Sequence, residues 1–274
     1  MAFERMQSAL ARARAMREGP GFRVDPEAAT EAETVDDDRP FESDTDKWDE
    51  FPVADLHPRL LAQSRVVTAG SGDEAPAFDV LRTKVFQEMR AHGWKRIAIT
   101  SPDKGCGKST VAMNLAFGLS RQKEIRTLLA EVDLRRPSLA RALNLPPRAG
   151  MAAMLSREVR PVQAILRVRD NLAVVANRSR SPLSAELLHS PVAAEVLREI
   201  EVRYRPDFMV FDLPPVMSGD DALAFLGNVD CALLVASAER TTTAQLETCM
   251  RDIKARTALA GVVLNRCRGG SAGY

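Results

Sequence analysis

Three features of the sequence predict an α/β fold in three layers, a mostly parallel sheet flanked by helices. Short aliphatic runs recur at residues 96–100, 126–133, 207–212, 231–236 and 261–265. They lack the apolar–polar alternation of a half-exposed strand, as strands covered on both faces do. Helix-patterned segments separate them, which is the order that parallel crossover connections need. Two of the runs end in acids, Asp133 and Asp212, at the carboxyl edge where such sheets hold their ligands.

The chain opens differently. Residues 3–18 lack glycine and proline, and Phe3, Met6, Leu10, Ala13 and Met16 approximate a helical stripe among arginines. Residues 1–24 carry a charge of +3, residues 25–56 carry −11 and the rest carries +9, within a net charge of +1. The pattern predicts a basic amphipathic helix over 1–24, suited to a protein partner or an acidic membrane surface. An acidic disordered linker over 25–56 is expected to follow. Trp48, Phe51 and Val53 are expected to anchor one short piece of it on the body.

The body starts with a helix at 76–93, with Phe78, Leu81, Val85, Phe86 and Met89 inward, Pro76 in its first turn and Gly93 at its end. It leads into KRIAITSPDKGCGKST, from Lys95 to Thr110. Strand, glycine-bearing turn, Gly-Lys-Ser-Thr and helix is the order of a phosphate-binding P-loop. Backbone N–H groups of the turn and the positive helix end collect a triphosphate's charge. Lys108 is placed to reach the β- and γ-phosphates, and the Ser109 hydroxyl to ligate Mg²⁺. Asp103, Lys104, Gly105, Cys106, Gly107 and Thr110 complete the expected ATP-binding segment. The full pattern has its first glycine where this chain has Pro102, so Gly105 and Gly107 supply the turn's freedom. In the helix that follows, Val111, Leu115, Ala116 and Leu119 share one face.

After the strand that ends in Asp133, a helix is expected near 138–143, helical pieces at 151–155 and 162–168, and a strand at 171–177. Residues 185–204 form a further helix that Pro191 kinks or restarts. Pro214 and Pro215 stop the strand that carries Asp212, since neither can donate a ladder hydrogen bond. Helices at 220–226 and 243–255 alternate with the last two strands. Asp212 suits the support of Mg²⁺, whereas Asp133 suits the attacking group, with Glu131 assisting from the same side of the strand. The catalytic candidates are Lys108, Asp133 and Asp212; the metal candidates are Ser109, Asp133 and Asp212.

Composition sets bounds. With 274 residues, 45% of them hydrophobic, the chain can bury a large core. Four cysteines without a C-x-x-C pair suit a reducing compartment. His57, His92 and His189 show no metal-ligand spacing. No apolar run approaches a membrane span and no signal-peptide core opens the chain, so a soluble, cytoplasmic protein is expected.

In its motifs the chain resembles the bacterial tyrosine kinases of capsular and exopolysaccharide synthesis. These are P-loop enzymes related to the deviant-Walker ATPases that position septa and partition chromosomes. The resemblance rests on Ala77-Phe78…Leu81-Arg82-Thr83, on Thr100-Ser101…Gly105-Cys106-Gly107-Lys108-Ser109-Thr110, on the run from Leu128 to Pro137, on Asp212-Leu213-Pro214-Pro215 and on Val263-Leu264-Asn265. It implies ATP and Mg²⁺, Asn265 near the adenine, Asp133 as the catalytic aspartate, and a P-loop kinase domain over 57–267. It further implies a membrane-embedded polysaccharide co-polymerase or activator as partner, a tyrosine phosphatase, a homo-oligomer, and attachment to the inner membrane through that partner. No nucleic acid is expected.

There are departures. Members of that family usually end in a tyrosine cluster, whereas this chain has Tyr204 and Tyr274 alone. The flexible tail 268–274 can carry Tyr274 to an active site as phospho-acceptor, while Tyr204 is expected to pack on the body. Pro76 and Asp79 stand at the first two charged positions of the family's ring-forming E-x-x-R-x-x-R motif, and only Arg82 remains. Lys104 lies one position beyond the signature lysine of partitioning ATPases. The expected activity is ATP-dependent autophosphorylation on tyrosine, controlling polysaccharide polymerisation and export. One alternative is a non-kinase ATP-driven switch on the same apparatus. The other, a partitioning-type ATPase, calls for a basic nucleic-acid surface, and no basic run supports it.

Overall fold

A computed structural model describes residues 47–70 and 75–267. The helix expected at 3–18, most of the acidic segment, and the tail with Tyr274 lie outside the described residues. The strands are β1 (Arg96–Thr100), β2 (Thr127–Glu131), β3 (Leu166–Arg169), β4 (Leu172–Val175), β5 (Phe208–Asp212), β6 (Cys231–Ser237) and β7 (Ala258–Asn265). They form one sheet in the order β3-β4-β2-β5-β1-β6-β7. Every pairing is parallel except that of β3 with β4.

Strands β2, β5 and β6 are buried along their whole length, which explains their unbroken aliphatic sequence. Their side chains alternate between two cores, one on each face of the sheet. Ala98, Leu128, Ala130, Met209 and Phe211 enter one core, while Ile97, Ile99, Leu129, Phe208 and Val210 enter the other. The register sets Ile99 and Glu131 on either side of Asp212, so β1, β2 and β5 end together at one edge.

The P-loop helix Lys108–Leu119 is buried from Val111 to Leu119, not on a single face. The helix Ala75–His92 and the turn Val67–Ala69 cover the side that the sheet leaves open. The expected helix at 162–168 stops at Ala164, where Ile165 turns to extended backbone. The rest becomes β3, whose β-branched and long side chains pair well against β4. Pro191 starts a fresh helix, Pro191–Tyr204, with the Ser190 hydroxyl accepting from Val192 N–H at 3.2 Å.

The last ten residues of the stretch read as a linker belong to this body. Trp48 and Phe51 are each 1% exposed, and the Phe51 ring lies 4.3 Å from that of Tyr204, which is buried as expected. Trp48 Nε1 donates to the Asp170 carbonyl at 2.8 Å. Val53 differs: its side chain is 64% exposed, and only its backbone bridges to Arg167 beside β3.

Truncating Trp48 to alanine is predicted to cost about 3–5 kcal/mol in urea denaturation, as for other buried aromatics. Val53→Ala should stay within about 0.5 kcal/mol of the parent.

Candidate nucleotide site

The turn between β1 and its helix needs glycine at two places. Gly105 and Gly107 have φ of +79° and +97°. A β-carbon on Gly107 would also meet Asn265 Nδ2 at 2.1 Å. That amide group donates to the Cys106 carbonyl at 2.9 Å, so Asn265, at the end of β7, holds the turn in place. Cys106 is buried, with Sγ 3.9 Å from Thr241 Oγ1. Arg240 lies over Gly105, its Nη1 3.1 Å from where a β-carbon would stand. Arg240 and Thr241 were not identified from the sequence. Their position just beyond β6, at the same carboxyl edge, was the available signal.

The loop after β5 supports the other flank. Thr100 Oγ1 donates to the Pro214 carbonyl at 2.7 Å, and Val216 N–H to the Ser101 carbonyl at 2.8 Å. Asp103 uses its carboxylate locally, accepting from Lys104 N–H at 2.6 Å. Lys104 itself is exposed. Thr110 lies in the first helical turn, where its carbonyl accepts from Asn114.

At the centre, Lys108 Nζ is 3.0 Å from Asp133 Oδ2 and 3.3 Å from Asp212 Oδ1. Ser109 Oγ stands 3.4 Å from the same nitrogen. The Asp212 carbonyl accepts the N–H groups of both Val132 and Asp133, at 2.9 and 3.1 Å, which locks the two acid-bearing strand ends together. Burial is the largest influence on Lys108 and pulls its pKa down. The charges of Asp212 and Asp133 and their hydrogen bonds together outweigh it, so the pKa is raised and the ammonium stays charged. Burial also dominates at Asp212 and raises its pKa, with Lys108 opposing. Asp212 Oδ2 is fully buried and has no hydrogen-bond partner among the described residues. An acceptor left in that condition beside a hydroxyl and a lysine fits Mg²⁺ with its bound water, because a buried carboxylate oxygen needs a donor.

Glu131 does not join this group. Strand β2 ends at Glu131 and the chain turns back at once, Leu134 N–H donating to the Val132 carbonyl at 2.7 Å. The alternation that would align Glu131 with Asp133 is thereby broken. The Glu131 carboxylate instead accepts the N–H groups of Ser138, Leu139 and Asn177. Burial pushes its pKa up to about 7 in spite of these donors. A cleft of about 660 Å³, lined by Leu61, Phe117 and Arg169, lies at the opposite end of the P-loop helix and takes no part in the site.

A family model described as the NUBPL iron-transfer P-loop NTPase, of the ParA type, matches residues 94–268. The geometry above is that of a P-loop NTPase. Tyrosine-protein kinase YwqD of Bacillus subtilis (strain 168) is 33% identical over 185 residues, covering 67% of this chain and 74% of that protein. The putative tyrosine-protein kinase CapB of Staphylococcus aureus is 27% identical, over 69% of this chain and 82% of its own length. The succinoglycan biosynthesis transport protein ExoP of Rhizobium meliloti (strain 1021) is 31% identical, but the match spans only 28% of its length. Among solved structures, the chimerical protein CapA2B2 superposes with a TM-score of 0.68 at 26% identity, over 80% of this chain and 96% of that one. The kinase domain of Escherichia coli tyrosine kinase ETK gives 0.64 at 22% identity, over 72% and 77%, a likeness of fold. The chain belongs to the bacterial tyrosine-kinase family of ParA-type P-loop NTPases.

Glu131 yields a prediction with a definite sign. Its folded pKa of about 7 lies above the ordinary 4.5, so the native state holds the proton more tightly. Its contribution to stability is present below about pH 4.5 and is lost as pH rises to about 7. Urea midpoints followed across that window should fall less steeply in Glu131→Gln than in the parent chain.

Proposed function

We propose that this chain is an ATP-dependent tyrosine autokinase that regulates exopolysaccharide or capsule polymerisation and export. The observation that carries this reading is the ammonium of Lys108 held between Asp133 and Asp212 at the head of the P-loop helix. With the nucleotide in place, the turn's N–H groups and Lys108 surround the β- and γ-phosphate oxygens and stabilise charge on the transferring group. Ser109, Asp212 and Asp133 are the residues that would hold Mg²⁺, which supplies charge neutralisation at those oxygens. Asp133 accepts the phenolic proton as the tyrosine oxygen bonds to the γ-phosphorus. The bond from that phosphorus to the β–γ bridging oxygen breaks, and ADP leaves with its electron pair. Asn265 holds the turn and borders the adenine.

Tyr274 is the acceptor in this reading, and a membrane-embedded co-polymerase or activator is the partner. A relative named for succinoglycan biosynthesis and transport supports that setting. Among the described residues no helix is long and apolar enough to cross a membrane. In this reading the chain is attached to the inner membrane through the partner.

A second reading, an ATP-driven switch without protein phosphorylation, draws on one observation. Asp79, at the second charged position of the ring motif, engages Arg82 at 3.5 Å and Arg121 at 2.9 Å within the chain. Arg82 is thus paired internally rather than offered to a neighbouring subunit.

Purified protein incubated with Mg-ATP should acquire phosphotyrosine, and Tyr274→Phe should abolish it. Asp133→Asn should slow transfer about 10²- to 10⁴-fold, the usual worth of a general base. ATP turnover without phosphotyrosine would support the switch instead.

A further inference from the structure

A polar cleft opens at the same sheet edge, beyond the end of β4. It measures about 400 Å³ and is bounded by the loop after β4 and by the helix Met151–Leu155. Three arginines line it, Arg148, Arg178 and Arg180, against a single carboxylate, Glu158. Arg148 is fixed by donating to the carbonyls of Gln163 at 2.9 Å and Val162 at 3.2 Å. Arg178 and Arg180 are exposed, and neither has an ion pair or side-chain hydrogen bond among the described residues. Leu183, 57% exposed, gives the same cleft an apolar wall.

The walls are built closely. A β-carbon on Gly150 would meet Asn177 Oδ1 at 2.5 Å and the Ala176 carbonyl at 2.9 Å, so the helix start sits directly on the end of β4. The arginine-bearing loop is also tied to the catalytic edge. Ser181 N–H donates to the carbonyl of Leu134, the residue after Asp133, at 2.9 Å, and Asn177 Nδ2 donates to the Glu131 carbonyl at 3.0 Å. The wall of the cleft is thereby bonded to the turn that carries Asp133.

We propose that this cleft is the acceptor-polypeptide subsite, and that it selects tyrosines flanked by acidic residues. The inference rests on the kinase reading. Guanidinium groups with no carboxylate partner favour carboxylates on a ligand, and an apolar wall beside them suits an aromatic or aliphatic side chain between those acids. The tail Gly269-Gly270-Ser271-Ala272-Gly273 before Tyr274 holds no acid. The selected acceptors are accordingly other proteins, modified in addition to the chain's own terminus. An arginine-lined surface also attracts nucleic-acid phosphates. A short bounded cleft with a leucine wall, and without the stacking aromatics or extended basic stripe of a strand-binding groove, favours peptide.

The test uses the full chain and two synthetic peptides of equal length, one Glu-rich and one Gln-rich, each with a single central tyrosine. Steady-state phosphorylation gives KM and kcat, and anisotropy of the fluorescently labelled peptides gives binding without reference to chemistry. The parent chain should bind and phosphorylate the Glu-rich peptide with a KM about tenfold lower than the Gln-rich one. Arg178→Gln/Arg180→Gln should remove that difference in both KM and anisotropy, while the calorimetric affinity for Mg-ATP stays that of the parent chain. Both side chains are exposed, so folding is not at stake. Equal KM for the two peptides, an unaffected double variant, or displacement of the Glu-rich peptide by a single-stranded oligonucleotide at lower concentration would overturn the proposal. Selective binding of the Glu-rich peptide without phosphotyrosine would uphold the cleft and reject the kinase reading.

Discussion

The structure depends on one buried ammonium group set between two carboxylates. Lys108 reaches Asp133 and Asp212 from the first position of a helix that is buried from Val111 to Leu119. The two acids are tied to each other, because the Asp212 carbonyl accepts the N–H groups of Val132 and Asp133, which open the turn after β2. Buried charge of this kind is poor evidence for stability, since desolvation offsets most of the attraction. Its value lies in what it prepares. A lysine that already stands dehydrated beside two acids can exchange them for phosphate oxygens, leaving the acids to a cation and to a proton.

The surrounding elements are arranged to keep that exchange in register. Strand β1 lies between β5 and β6, so loops from both neighbours press on the P-loop turn, Pro214 and Val216 on one side and Thr241 on the other. Asn265 closes the set from β7 by holding the Cys106 carbonyl. The same edge continues past β2 to β4, where the loop carrying Arg178 and Arg180 is bonded to the residue after Asp133. The P-loop turn and the cleft proposed for acceptor polypeptides thus share a row of strand ends, as open α/β sheets favour.

Most of the sheet and the centre of the site were legible from the amino acids, for a physical reason. Strands buried on both faces must be continuously apolar, and a phosphate-binding turn must carry glycine and lysine in fixed order. Lys108, Asp133 and Asp212 converge because those two constraints meet at one edge. What was not legible depended on non-local partners. Residues 166–169 became a strand because β4 offered an edge, a fact invisible in their own periodicity. Glu131 looked aligned with Asp133 until the chain turned at Val132, and three N–H donors took its carboxylate instead. Trp48 and Phe51 are legible as anchors, but an acidic composition hid that residues 47–56 join the body.

Lys108 is expected to trade its two carboxylates for the oxygens of a triphosphate. Calorimetric titration of Mg-ATP into the parent chain and into Lys108→Met tests it most directly. Saturable one-site binding by the parent is expected, with a loss of at least about 100-fold in the variant from removal of a desolvated charge–phosphate contact. Equal affinity in the two proteins, with the variant folded by circular dichroism, would contradict it.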